Sequence, residues 1–100
     1  MRESPGLSPT PALILNEVAS VYNVSPVKLV GVSRTKELML PRQVAMYLSR
    51  DLTGTTLQQI GYAFNRKDHT TVIHACRKIE ESIRKDPNMK GMVDNLREKL

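Results

Sequence analysis

The sequence predicts an all-α protein, a helix-turn-helix bundle of about six helices. Three observations carry this. Apolar residues recur at helical spacing in nearly every segment, proline, glycine, asparagine and threonine punctuate those segments, and no stretch alternates polar with apolar as a half-buried strand does. One hundred residues, 40% of them hydrophobic, make one domain with one small core, and 4% aromatics with no tryptophan make that core aliphatic.

Residues 1–11 hold Pro5, Pro9, Pro11, Gly6, Ser4 and Ser8 and read as a flexible arm or linker end, leaving 12–100 as the folded domain. From Ala12 to Tyr22, Leu15, Val18, Ala19 and Tyr22 mark a first helix, broken by Asn23-Val24-Ser25-Pro26. Ser25 suits the cap and Pro26 the first turn of a short helix to Val30, which Gly31 can end. Val32 to Leu40 has no clear period and reads as a loop. Pro41 then begins a stronger helix, with Val44, Ala45, Leu48 and Leu52 on one face and Thr53-Gly54 as its stop.

Thr55 or Thr56 caps the next helix, each with a glutamine three residues on (Gln58, Gln59), the spacing of a capping box. Leu57, Ile60 and Phe64 point inward, and Gly61 marks a close approach between helices. Asn65 to Lys67 turn the chain. Asp68 can cap a long helix from His69 to Lys85, whose core stripe is Val72, Cys76, Ile79 and Ile83. Asp86-Pro87-Asn88 ends it, because proline lacks a backbone donor and restricts the residue before it. Met89 to Leu100 forms the last helix, with Met92, Val93 and Leu96 inward.

The net charge of +5 is concentrated in two blocks. Lys28, Arg34, Lys36, Arg42 and Arg50 face only Glu37 within 28–50, and Arg66, Lys67, Arg77 and Lys78 face only Asp68 within 65–78. Charge from Glu80 onward balances. Such blocks suit a phosphate-binding face, although a solvated basic surface would look the same from composition.

Other classes find little support. No apolar run is long enough to span a membrane, and Met1 to Gly6 lack the apolar core of a signal peptide. Cys76 is the only cysteine, which rules out an internal disulfide and fits a reducing cytoplasm. His69 and His74 are five apart, not the i, i+4 pair of a helical zinc site. No G-x-x-x-x-G-K-[ST] phosphate loop, Ser-His-Asp set or paired carboxylates occur, so the chain is not expected to be an enzyme.

The helices 56–64 and 69–85, joined by a short turn, form a candidate helix-turn-helix. In that motif the N-terminal residues of the second helix read the major groove. Here they are His69, Thr70 and Thr71. Histidine donates or accepts, threonine hydroxyls do both, and threonine methyls can touch the thymine methyl. Arg66 and Lys67 add charge just before them, and His74, one turn on, can reach a phosphate.

Residues 57–79, LQQIGYAFNRKDHTTVIHACRKI, closely resemble the signature IGxxFGGRDHTTVxHAxRKI of the bacterial DnaA replication initiators, and Leu40 to Leu48 resembles that family's PRQxAMxL helix. The resemblance covers roughly Leu15 to Leu96. It implies the C-terminal DNA-binding domain of that family, with a fold related to the Trp repressor, binding double-stranded DnaA boxes at a replication origin, in the cytoplasm on the nucleoid. It implies base contacts from Asp68, His69, Thr70 and Thr71 in the major groove and from Arg34 in the adjacent minor groove. It also implies phosphate contacts from Arg42, Gln43, Arg50 and His74, with Arg66 and Lys67 beside them. ATP and magnesium would belong to a preceding ATPase domain of the parent initiator, so no cofactor is expected in this chain, and regulatory proteins are possible partners. Asn65-Arg66 replace the family's Gly-Gly, and asparagine tolerates a left-handed backbone better than arginine. Gln58 stands where some members carry proline, and Val32 and Leu40 stand where bases are often found.

Two alternatives remain open on sequence grounds: a stand-alone DnaA-like regulator, or a helical protein-interaction module using the exposed parts of the first and last helices. A single domain reading an asymmetric site is expected to be monomeric.

Overall fold

The computed structural model describes residues 9–31, 35–66 and 68–100. Six helices and no strands are found among them: α1 (Pro11–Tyr22), α2 (Pro26–Leu29), α3 (Lys36–Thr53), α4 (Leu57–Ala63), α5 (Thr70–Lys85) and α6 (Pro87–Lys99).

Local chemistry explains most of the boundaries. Thr10 caps α1, its Oγ1 accepting from the Leu13 N–H at 3.2 Å with Pro11 in the first turn, so the helix starts at the end of the segment expected to be a flexible arm. Asn23, at φ 58°, ends α1 in the left-handed region. Gly54, at φ 68°, does the same for α3. Thr56, not Thr55, caps α4, and Gln59 completes a capping box. Asp86 ends α5 and caps α6, its Oδ1 accepting from the Asn88 N–H at 2.9 Å.

α3 departs from expectation. It starts at Lys36, more than a turn before Pro41, and includes half of the predicted loop. Leu38 supplies the reason: at 5% exposure it packs with Ala19 and Leu29 in a small second core that draws this segment into the helix. Pro41 is tolerated because the hydrogen bond it removes would have used the carbonyl of Glu37, an exposed residue in the first turn that water can serve.

α3 is the hub, packing most extensively on α5 and α1. Val44, Ala45 and Leu48 of α3 meet Val72, Cys76 and Ile79 of α5 and Ile14 and Val18 of α1 in one buried cluster. Ile14, fully buried, is a core residue outside the predicted α1 stripe, whose Leu15 is only partly buried. α6 is tied to α3 by polar groups: Arg97 pairs with Asp51, donates to the Tyr47 hydroxyl at 3.0 Å and lies 5.7 Å from the centre of that ring. The Tyr22 hydroxyl adds a weak bond to Met92 Sδ at 3.5 Å.

Leu48 is fully buried at the centre of this arrangement. Leu48→Ala is expected to cost about 2–5 kcal/mol. Urea unfolding should show a lower midpoint with an unchanged slope.

Candidate nucleic-acid interface

The turn between α4 and α5 is built from three close contacts. The Arg66 N–H donates to the Gly61 carbonyl at 2.7 Å, folding the chain back over the end of α4. A Cβ at Gly61 would lie 3.3 Å from the Arg66 carbonyl oxygen and 3.9 Å from the His69 Cα, so the close approach expected of this glycine is to the turn itself. The left-handed step falls on Asn65, at φ 57°, and not on Arg66. Asn65 Nδ2 also donates to the Val30 carbonyl at 2.9 Å, and Arg66 Nη1 donates to the Phe64 carbonyl at 2.9 Å.

α5 follows. Asp68 is its side-chain cap, Oδ1 accepting from the Thr70 N–H at 2.9 Å, while His69 already has helical torsions of φ −67° and ψ −12°. Regular helix therefore starts at Thr70, one residue later than predicted. The Thr70 hydrogen bonds, from backbone and then side chain, hold the Asp68 carboxyl below its ordinary range, helped by charge at His69 and His74. Asp68, His69, Thr70 and Thr71 are all exposed, and Val72, next in sequence, is fully buried. The four residues expected to read the major groove are thus exposed at the front of a helix whose back is anchored.

Beside them runs a cleft of about 510 Å³ between α3 and α5. Gln43, Arg66, Thr71, His74 and Lys78 line it over a floor that includes Met39 and Met46. Bases enter its wall and no acidic residue does. Lys78 was counted in the second basic block but not named among the expected phosphate contacts. It lies one turn beyond His74 on the same face of α5, and that i, i+4 spacing was the available signal.

Arg50 is not brought into this cleft. It lines a separate recess of about 540 Å³ on the other flank of α5, with Arg77, Asp51 and Glu80. Burial raises the pKa of the neighbouring Cys76 thiol, as suits an inert core residue. Arg42 does line the cleft, with its guanidinium engaged inward. It is 5% exposed, and its Nε and Nη2 donate to the Leu29 and Lys28 carbonyls at 2.8 and 3.1 Å. A guanidinium on a helix with apolar neighbours is drawn inward by such acceptors, so in this protein Arg42 fastens α2 to α3. Burial, and then the charge of Arg66, lower its pKa. Arg34 and Lys67 lie outside the described residues. Among the described residues, no three histidine, cysteine or acidic side chains could together hold a metal ion, and no helix is long and apolar enough to cross a membrane.

Comparison with known proteins decides what kind of motif this is. The family model described as the bacterial DnaA protein helix-turn-helix matches residues 11–79. The chain belongs to the bacterial DnaA helix-turn-helix family. Its DnaA relatives include the chromosomal replication initiator proteins of Limosilactobacillus reuteri, 45% identical over 89% of this chain, and of Thermus thermophilus, 42% identical over 92%. The chain spans only about a fifth of their length, 20% and 21% respectively. A crystal structure of a DNA replication initiation factor, 37% identical, superposes with a TM-score of 0.81 over 89% of this chain and 27% of the other. A replication initiator DnaA bound to AMPPCP and single-stranded DNA, 38% identical, gives 0.78 over 89% of this chain and 27% of its own. The matched DnaA region is the helix-turn-helix and not the ATPase domain.

The Asp68 cap generates a pH dependence. A carboxylate whose pKa falls on folding contributes stability above its unfolded pKa, and that contribution disappears as pH drops through the folded value. Asp68→Ala should therefore melt below the parent at pH 6, with the gap closing as the pH is lowered through the carboxylate range.

Proposed function

We propose that this chain is the DNA-binding domain of a chromosomal replication initiator, and that it reads double-stranded DnaA boxes at the origin, acting on the nucleoid in the cytoplasm. One observation carries the reading: four exposed, hydrogen-bonding residues, Asp68 to Thr71, stand at the front of α5 beside a cleft lined by bases and no acid.

The front of α5 enters the major groove. His69, Thr70 and Thr71 address base edges and the thymine methyl, while the Asp68 carboxylate can accept from a cytosine amino group. A groove about 12 Å wide places phosphates on both sides of an inserted helix. One basic flank of α5 supports this, with Arg66, His74 and Lys78 and no acid, while on the other flank Arg50 and Arg77 share their recess with Asp51 and Glu80. Gln43 adds a carboxamide in the first cleft. Lys67, following Arg66 in sequence, contributes further charge to the approach. Arg34 reaches the adjacent minor groove, where a narrow A·T-rich segment attracts it. An asymmetric site needs one copy, so the domain binds as a monomer. ATP binding and hydrolysis belong to another part of the parent protein.

The test is a titration against labelled duplexes carrying a DnaA box or a scrambled box, at two salt concentrations. Box binding should be tighter and should weaken steeply with salt, in proportion to the phosphates neutralised. Equal affinity for both duplexes, or binding indifferent to salt, would refute the proposal and favour a protein-interaction module.

His69→Ala and Thr71→Ala should each lose about 1–3 kcal/mol at the box and little on the scrambled duplex. Lys78→Ala should instead weaken both duplexes alike and lower the salt slope by about one. Identical behaviour of the two classes would refute the division into reading and gripping residues.

A further inference from the structure

His69 and His74 are the only histidines in the chain. Imidazole is the side chain whose charge ordinarily changes between pH 5 and 8. The two rings stand in different places. His69 precedes the first regular turn of α5, among the residues assigned to base edges, and does not line the cleft. His74 is exposed and forms part of the cleft wall, where the phosphate backbone is expected.

Charged groups surround His74 from three elements. Arg42 of α3 and Arg66 of the turn share the cleft lining with it, and Lys78 lies one turn on along the same face of α5. Asp68, at the start of α5, is the carboxylate that senses it: its pKa is lowered first by the Thr70 hydrogen bonds and in small part by charge at His74. The three cations and the carboxylate act on an imidazolium in opposite senses. No acid lines the cleft, so an entering phosphate adds negative charge to one side of that balance. A negative charge close by favours the protonated ring, and that ring donates from both nitrogens where the neutral one donates from one.

We propose that binding a duplex is coupled to the uptake of one proton by His74, so that the grip of the cleft on the phosphate backbone tightens as pH falls from 8 to 6. The proton comes from solvent and settles on the ring nitrogen that is bare in the neutral imidazole; no other bond forms or breaks. A group that holds its proton more firmly in the complex makes the complex firmer at lower pH, by linkage. The coupling rests on the double-stranded DNA reading proposed above.

The parent, His74→Asn and His69→Asn are titrated with box and scrambled duplexes at pH 6, 7 and 8 and at two salt concentrations. Asparagine keeps a neutral donor at either position. Parent affinity should rise roughly tenfold from pH 8 to pH 6 on both duplexes, the scale of one opposite charge acting on a titrating group, and the salt slope should grow by about one. H74N should lose most of that rise and bind at pH 6 about as the parent does at pH 8. H69N should keep the rise on the scrambled duplex. A rise that survives in H74N, or a parent indifferent to pH, overturns the proposal. A rise confined to the box also overturns it, because phosphate contacts carry no sequence information and the proton would then belong to His69. NMR of the imidazole rings follows each histidine separately. The His74 resonances should titrate at higher pH in the scrambled complex than in the free protein, and an unmoved midpoint overturns the proposal. If the parent binds box and scrambled duplexes equally, the DnaA-box reading falls while the scrambled arm still decides the coupling. If it binds neither, both fall.

Discussion

α5 has to be anchored and offered at once, and the rest of the molecule is arranged around that constraint. Val72, Cys76 and Ile79 bury its inner stripe against α3, while Asp68 to Thr71 reach beyond the core. The transition from exposed to fully buried occurs between Thr71 and Val72, within a single residue. A stripe of three buried apolar side chains stabilises the helix by several kcal/mol, at ~1.5–3 kcal/mol for each. That anchorage lets four polar residues remain in fixed geometry without packing partners of their own. α1 and α6 then close the sides of α3 and α5 that would otherwise be wet.

The turn before α5 shows how little room this arrangement leaves. Gly61 brings α4 within contact of the Arg66 carbonyl, Asn65 takes the left-handed step, and Asp68 closes the first turn. Each residue satisfies a backbone group that a looser connection would leave to water. The same compression sets Arg66 near Arg42, whose pKa is lowered by burial first and by the charge of Arg66 second. Under the proposed function, a phosphate at the cleft would meet a lining that includes both Arg42 and Arg66 and no acid.

Much of this was legible in the sequence because the signals were local. The Thr56–Gln59 box, the Gly54 stop and the Asp86-Pro87 break each depend on residues within a turn of one another, and they set boundaries close to those observed. The start of α3 was not legible. Pro41 is a strong helix-start signal, and only the distant burial of Leu38 against Ala19 and Leu29 outweighs it. The site divided similarly. The exposure of Thr70 and Thr71 fits the phase of the Val72 stripe, whereas Asp68 and His69, four and three residues before Val72, are exposed because they precede the helix. The inward turn of Arg42 does not follow from local pattern, because its acceptors lie 13 and 14 residues away on another element. Nor does the Asn65 bond to Val30, for which sequence offered only a backbone reason.

Cys76 lies in the seam between α3 and α5 and is 2% exposed. An oxidant or alkylating agent reaches this sulfur far more readily when the two helices part. Modification of Cys76 is therefore favoured in molecules that have lost the platform under the front turn of α5. A bulky group on this thiol and a closed α3–α5 seam oppose each other.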